Sequence, residues 1–423
     1  MTALSSLPHL VAFDIEVGGH HGVYLLHLAR EWGRLELPGR LTYVVSTQFR
    51  ERHADVVAAA SAVGIGLHEV PPVELSTGAY RHLRGPARIA AHAMLEWRRL
   101  VSAAATLGAT HVIALYLDRL LQVPLATGLR SPCPVSGIYF RPTFHYRHWA
   151  KGRISLGDRA RAARQEAVAT LALRNPSLHT LFTLDAFAAA ELQIRGHRSA
   201  EGLSDPVDLA PAPPERIAAL RARLGLDASH RRLVLLFGVL TSRKGIPRVM
   251  KAIAALPLDV VAGCHWALVG PLDKSYRTTL ETELAGLAAK RPDATVTLVA
   301  EFVPEEDTQA WFELADLVLV PYERHVGMSG ILVRAAAAGR PVLADDFGLV
   351  GALTRQDGLG LSLDTSSPDA FASALARWFH EPTTIPFSPA GAARFARRNR
   401  APRFARQLLR LCWPDQVAKE SAT

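Results

Sequence analysis

The sequence predicts an α/β protein of two domains, each a parallel β-sheet with helices on its faces. Short apolar segments alternate with helical patterns in both halves of the 423-residue chain. In the second half these segments are almost continuously apolar, which is typical of strands buried on both faces. Residues 204–214, SDPVDLAPAPP, hold four prolines in eleven residues and interrupt the alternation, as a linker between domains does.

The pattern of the first half predicts strands that alternate with helices. The connections between its parallel strands should therefore be right-handed crossovers. The predicted strands lie at residues 9–15, 41–47, 64–70 and 111–118, with helical patterns at 23–32, around 56–60 and at 87–107. After a helix at 215–224, the predicted strands of the second half lie at 231–240, 266–270, 294–302, 315–322 and 341–346, and a helical stretch follows at 369–412. Ligands of open parallel sheets bind beyond the carboxyl ends of the strands, so we expect the site in a cleft between the two sheets.

Composition narrows the class of protein. A hydrophobic fraction of 49% and a charged fraction of 21% indicate a folded globular chain. No apolar run reaches the roughly 18–20 residues of a membrane span, and the first residues lack the pattern of a signal peptide. Cys133, Cys264 and Cys412 are far apart in sequence, which predicts neither a disulfide framework nor a metal site. We therefore expect a cytoplasmic protein.

The formal charge of +9 is unevenly distributed. Residues 141–164 hold seven Lys or Arg and one Asp among several aromatics, and residues 394–410 hold seven Arg and no acid. A solvated helix face explains either cluster alone, whereas the two together predict a surface that attracts anions such as anionic lipid. No nucleic-acid-binding motif accompanies them, so we expect no nucleic acid partner.

Three turns between a strand and a helix are candidates for ligand contact. Gly18 and Gly19 stand in EVGGHHG and are predicted as donor-binding, because glycines allow a ligand to approach the backbone, although a plain tight turn fits equally. Arg243 and Lys244 stand side by side after the strand ending near Gly238, and such a pair suits a pyrophosphate; an exposed basic loop is the alternative. The loop Gly327, Met328, Ser329, Gly330 opens a helix whose N–H groups attract phosphate, unless it is an ordinary turn.

The order of these motifs over residues 230–380 resembles the GT-B glycosyltransferases, in particular the large retaining bacterial group called glycosyl transferases group 1. The resemblance rests on FGVL-TSRKG, VGP, EFVPEEDTQAWFELADLVLVPY, the Gly-x-Ser-Gly loop, AAGRPVLADD and FGLVG. It implies two Rossmann-like domains facing across a cleft. The implied parts are an acceptor domain at 1–203, a linker at 204–214, a donor domain at 215–385, and a helix at 386–423 that packs back on the first domain.

The resemblance also implies roles for residues. Arg243 and Lys244 would contact the diphosphate of a UDP- or GDP-sugar, the backbone at Phe302 and Val303 would hold the base, and the loop 327–330 would meet the phosphates or the sugar. No cofactor or metal is required. Transfer with retention to a saccharide or lipid-linked acceptor, for a polysaccharide or glycolipid, is the expected reaction. Basic and aromatic residues at 139–153 would then contact an anionic membrane as in peripheral proteins of this group.

One position departs from the family pattern. The family carries two glutamates that bracket the last loop and helix, and Arg334 stands where the second is expected. A guanidinium cannot accept hydrogen bonds from ribose hydroxyls as a carboxylate does. The first glutamate falls near His325 or Val326, with Glu323 nearby, so His325 is predicted as catalytic and Glu323 and Arg334 as donor-binding. Three alternatives follow: Arg334 binds phosphate, the donor differs from the family norm, or the site is inactive.

Asp118 ends the strand HVIALYLD and is predicted to contact the acceptor or act as general base. The alternative is an Asp that caps the next helix. In a retaining reaction the leaving phosphate takes the acceptor proton, which places more weight on the cations at the diphosphate. Other functions on the same scaffold are a nucleotide-sugar epimerase, a sugar phosphorylase, and a catalytically silent nucleotide-binding module.

Overall fold

The computed structural model describes residues 7–18, 21–76, 80–146, 155–226 and 231–420. They form two compact units. The first contains the described residues up to Pro206 and those from Ala401 onward, and the second is Val207–Arg400. The sequence predicts changes of domain at 204–214 and at 386; the structure has them at Pro206–Val207 and Arg400–Ala401.

In the described part of the first unit, seven parallel strands form one sheet in the order β3-β2-β1-β4-β5-β6-β7. The strands are β1 His9–Asp14, β2 Arg40–Ser46, β3 Gly66–Val70, β4 His111–Ala114, β5 Val135–Tyr139, β6 Leu178–Thr183 and β7 Ala200–Gly202. Its helices are His21–Leu35, Phe49–Arg52, Ala54–Ala62, Gly85–Leu107, Asp118–Leu120, Leu156–Leu173, Ala186–Ile194, Ala401–Leu409 and Pro414–Glu420.

Side-chain alternation explains why the strands of this sheet are apolar throughout. Successive residues of a strand point to opposite faces. Leu10 and Ala12 of β1 belong to one hydrophobic core, and Val11 and Phe13 belong to another. Each face of the sheet is covered by helices, so both sets of side chains are buried.

The end of the chain completes the first of these cores. Phe404 and Leu408 of the helix Ala401–Leu409 are fully buried there, and the Phe404 ring lies 4.8 Å from that of Tyr24. Trp413 lies edge-on to Trp32 at 5.1 Å. The basic cluster 394–410 is partly neutralised by ion pairs, which join Arg398 to Asp357, Arg406 to Glu31 and Arg410 to Glu201.

In the described part of the second unit, six parallel strands form one sheet in the order β10-β9-β8-β11-β12-β13. The strands are β8 Arg232–Phe237, β9 Cys264–Val269, β10 Thr295–Val299, β11 Leu317–Val320, β12 Val342–Asp345 and β13 Gly360–Leu363. Its helices are Pro214–Arg223, Ile246–Ala255, Leu258–Ala262, Arg277–Lys290, Glu305–Leu314, Gly330–Ala337, Gly348–Gln356, Pro368–His380 and Pro389–Arg398.

Among the described residues, no helix combines the length and the apolar character that crossing a membrane requires.

Candidate active site

Most of the predicted donor residues of the second unit lie in the loops that follow three of its strands, the central β8 and β11 and the edge strand β10. The Arg-Lys turn follows β8, Phe302 and Val303 follow β10, and residues 323–330 follow β11. Because all strands of this sheet are parallel, these loops meet at its carboxyl edge. The fold therefore brings the predicted donor residues to one edge.

Lys244 is held between the ends of two neighbouring strands. Its Nζ donates hydrogen bonds to Phe237 O at 2.9 Å and to the Tyr322 hydroxyl at 2.8 Å. Ser329 Oγ also donates to the Tyr322 hydroxyl, at 3.5 Å. Tyr322 thus joins the cationic turn to the Gly-Ser loop, a role that sequence reasoning missed, although Pro321-Tyr322 is recognised there as a strand end.

Arg243 lies beside Lys244 in the short 3₁₀ turn Ser242–Lys244 and is exposed. Its side chain makes no hydrogen bond or ion pair with the described residues, whereas its carbonyl oxygen accepts the backbone N–H of Glu323 at 2.9 Å. The turn is closed by Gly245 at φ +70°. A Cβ at Gly245 would lie 2.0 Å from Pro321 O, so the close contact of the two loops requires glycine.

Glu323 is part of a charged network that holds the loop after β11. Its carboxylate lies 3.4 Å from Arg248 Nε. Arg248 Nη1 donates to Asp345 at 3.0 Å and to the Thr365 hydroxyl at 2.8 Å. Asp345 is buried at the end of β12. Sequence reasoning missed this network, although a charged residue at the carboxyl end of the apolar run PVLADD is a signal that could have indicated Asp345.

The Gly-Ser loop, residues 327–330, leads into the N-terminus of a helix. Gly327 and Ser329 are buried, and Gly330 begins the helix Gly330–Ala337. No side chain of the described residues caps this helix, and although Leu332 N–H bonds to Ser329 O, the first two N–H groups remain available to an anion. Nε2 of the predicted catalytic residue His325 donates to Met328 O at 3.2 Å within the same loop, and its ring packs edge-on to that of Tyr322 at 5.1 Å.

Arg334 lies one turn into that helix and forms an ion pair. Its Nη2 donates to Glu305 Oε1 at 2.5 Å, and its Nη1 donates to Asp208 O at 3.4 Å. The residue that stands in place of the expected glutamate therefore brings a carboxylate from another helix to its own side chain. Sequence reasoning did not single out Glu305.

A pocket of about 270 Å³ lies beside Phe302 and Val303. The Phe302 side chain is 76% exposed, and the Arg223 guanidinium lies 5.6 Å from the ring centroid of Trp311. The full lining is Arg216, Ala219, Leu220, Arg223, Val299, Glu301, Phe302, Val303, Pro304, Asp307, Ala310 and Trp311. The aromatic and aliphatic part of this lining suits a planar ring, and four charged residues complete the lining.

The first unit has its own polar carboxyl edge. Asp118 follows β4 and is buried; it accepts the backbone N–H groups of Phe140 at 2.9 Å and Arg141 at 3.2 Å. Burial raises the pKa of Asp118 to about 6, against the opposing effect of these two hydrogen bonds. The carboxylate therefore ties the end of β4 to the segment after β5.

Other residues lie at or near the carboxyl edge of this sheet. Arg119, which sequence reasoning missed, donates to Glu96 at 2.9 Å and pairs with Glu16. Gly18 follows β1, and a side chain there would meet open space. Gly19 lies outside the described residues.

The comparisons agree with this architecture. Residues 231–381 match the family model described as Glycosyl transferases group 1. The D-inositol 3-phosphate glycosyltransferase of Thermobispora bispora is 30% identical in an alignment of 216 residues that covers 45% of this chain and 49% of that protein. The chain thus spans about half the length of the curated relatives it matches.

Solved structures match over almost the whole chain. Anabaena Alr3699/HepE, crystallised with UDP and glucose, matches with a TM-score of 0.65 at 14% identity, covering 96% of this chain and 99% of that chain. WaaG, a glycosyltransferase involved in lipopolysaccharide biosynthesis, matches with a TM-score of 0.60 at 15% identity, over 96% and 99% of the two chains. The predicted GT-B fold class is confirmed by these structural matches, and the family match of this chain lies within residues 231–381.

Proposed function

We propose that this protein is a glycosyltransferase that moves a hexose from a nucleoside-diphosphate sugar, held by the second unit, to a saccharide or lipid-linked acceptor. The observation that carries the proposal is the meeting of three anion-binding elements at one sheet edge. These are the exposed Arg243 guanidinium, the Lys244 ammonium and the uncapped start of the helix Gly330–Ala337.

Two comparisons support a nucleotide sugar as the donor. The matched family domain, residues 231–381, contains all three elements. HepE, which shares the fold, has been crystallised with UDP and with UDP-glucose. The pocket beside Phe302 and Val303 is the place for the base, and UDP- and GDP-sugars are the first donors to test.

The chemistry asked of these residues is charge stabilisation. Transfer breaks the bond between the anomeric carbon and the phosphate oxygen and forms a bond between that carbon and the acceptor oxygen, while negative charge develops on the departing diphosphate. Arg243, Lys244 and the helix start stabilise that charge, and stabilisation of this kind is typically the largest catalytic contribution. With retention, the departing phosphate takes the proton of the acceptor hydroxyl, so His325 and Asp118 act by contacting sugar and acceptor.

Membrane contact stays a prediction. Residues 147–153 of the basic-aromatic segment 139–153 lie outside the described residues, and part of the arginine cluster 394–410 is paired within the fold. Binding to vesicles with and without anionic lipid is the test. The cytoplasmic location expected from the sequence also stays a prediction.

The test of the enzyme is turnover of UDP-, GDP- and ADP-sugars by the wild type and by the double variant Arg243→Ala plus Lys244→Ala. We expect one donor to be hydrolysed or transferred and the double variant to lose at least 100-fold in rate, because each removed donor is worth about 2–4 kcal/mol in the transition state. The matched control is Lys251→Ala plus Lys290→Ala, which removes two exposed cations from the same unit and should leave the rate unchanged.

The catalytically silent module is the second candidate, and the feature that favours it is Arg334 at the position of the expected glutamate. A silent module would be stabilised against heat by a nucleoside diphosphate, since a ligand that binds the folded state raises the melting point, yet would turn over no donor. Absence of both turnover and stabilisation would refute both functions.

A further inference from the structure

The ion pair between Arg334 and Glu305 connects the two ends of the proposed nucleotide site. Glu305 begins the helix Glu305–Leu314, two residues after Val303. Arg334 lies on the same face as Gly330, one turn further along the helix Gly330–Ala337. The two helices pack against each other. The pair therefore joins the helix beside the pocket to the helix whose start attracts phosphate.

The two partners of the pair differ in exposure. The Arg334 side chain is 14% exposed and the Glu305 side chain is 60% exposed. Arg334 donates hydrogen bonds to Glu305 Oε1 and Asp208 O. Glu305 Oε2 makes no hydrogen bond within the described residues. A carboxylate accepts about four hydrogen bonds in total. The covered guanidinium thus orients an exposed carboxylate that keeps most of its acceptor capacity.

We infer that Glu305 is the residue that recognises the ribose of the nucleotide, with its carboxylate accepting hydrogen bonds from the ribose hydroxyls and Arg334 holding it in position. This inference rests on the proposed function. In a nucleoside diphosphate the ribose links the base to the phosphates, so a base beside Phe302 and a diphosphate at Gly330 present the ribose to the residues that connect these two places. Hydroxyls donate to a carboxylate and not to a guanidinium.

The carboxylate would thus come from the helix Glu305–Leu314 and not from the helix Gly330–Ala337, where Arg334 stands in place of the expected glutamate. The Arg334 guanidinium alone cannot accept a hydrogen bond from a hydroxyl. Its pairing with Glu305 supplies a carboxylate acceptor between the two helices. Since a hydrogen bond to a charged group is among the stronger ones, we expect the ribose hydroxyls to contribute about 10- to 100-fold in affinity.

The test is calorimetric titration of the full chain with UDP, GDP and ADP, followed by the 2′,3′-dideoxy form of whichever binds. The wild type should bind the dideoxy form about 10- to 100-fold more weakly. Glu305→Ala should bind the normal nucleotide as weakly as the wild type binds the dideoxy form, and should no longer distinguish the two. Glu305→Gln keeps one acceptor oxygen and should therefore retain part of the preference for the normal over the dideoxy nucleotide. It replaces the Ala variant in this test if that variant folds poorly.

Two further variants separate the roles. Glu306→Ala removes the neighbouring exposed carboxylate from the same helix start and should leave both affinities unchanged. Arg334→Met should lower the discrimination while leaving dideoxy binding intact. If dideoxy binding falls equally, Arg334 contacts phosphate and the inference is overturned. It is also overturned if Glu305→Ala and Glu305→Gln both discriminate as well as the wild type does. If the wild type binds no nucleoside diphosphate, the proposed function fails first and the inference fails with it.

Discussion

The Tyr322 hydroxyl is the best single place to test how the donor loops are held together. It accepts hydrogen bonds from Lys244 at 2.8 Å and from Ser329 at 3.5 Å. Tyr322→Phe removes this acceptor but keeps the ring, over which Lys244 Nζ lies 4.3 Å from the centroid. A hydrogen bond from a charged donor is worth about 1.5–3 kcal/mol. The longer bond from Ser329 adds little, and the retained ring contact offsets part of the loss.

We therefore expect Tyr322→Phe to lower the free energy of unfolding by about 2 kcal/mol. In urea, the unfolding midpoint should fall with an unchanged slope. Nucleoside diphosphate binding should weaken about tenfold, since Lys244 and the Gly-Ser loop lose their common partner. The matched control is Tyr276→Phe in the same unit. Tyr276 is equally buried, but its hydroxyl has no hydrogen-bond partner among the described atoms. Its removal should be neutral or stabilising, so equal losses in the two variants would refute the reasoning.

Three other predictions address the supports of the two sites. Because burial raises the pKa of Asp118 from 3.8 to about 6, the folded state binds its proton more tightly, and this contribution is lost as pH rises through 6. Wild-type stability relative to Asp118→Asn should therefore increase by about 1.4 kcal/mol between pH 7.5 and pH 5, measured by urea unfolding, and a flat difference would contradict the assigned environment. Gly245→Ala should cost at least 3 kcal/mol and abolish nucleotide binding, because a Cβ would meet Pro321 O at 2.0 Å. Gly225→Ala, also at positive φ but in open space, should cost about 1 kcal/mol, and thermal melts that rank the two alike would count against the argument. Arg406→Met should cost about 2 kcal/mol, because it leaves the buried Glu31 with one partner fewer; Arg403→Met, an exposed change on the same helix, should cost under 0.5 kcal/mol in the same melts.

Local pattern predicted the fold class of this protein but not every strand, since β5, β6, β7 and β13 lie outside the strands that the sequence predicts. Segments such as β8, apolar along their length and followed by a turn and a helix, are typical of buried parallel strands. The ordered motifs after them also placed Arg243, Lys244 and the loop 327–330 in the candidate site. All of these are features that neighbouring residues in the chain determine.

Contacts between distant residues could not be predicted in the same way. Nothing in the sequence around Glu305 indicates that Arg334 lies 2.5 Å away, since the pairing depends on how two helices pack. The same holds for Arg248 with Asp345, and for Tyr322 with Lys244. For Asp118, the sequence predicted the position after a strand. It did not predict the two backbone N–H groups that donate to its carboxylate.

The return of the chain to the first unit has a consequence for synthesis on the ribosome. The second unit is one continuous segment, Val207–Arg400, whereas the first needs Phe404, Leu408 and Trp413 to complete its core. Translation proceeds from the N-terminus, so the earlier-made half must wait, with the Tyr24 and Trp32 side of its helix uncovered, until the last residues emerge. The second unit can fold first. A released chain that ends after Arg400 should thus expose apolar surface to chaperones only through its N-terminal half.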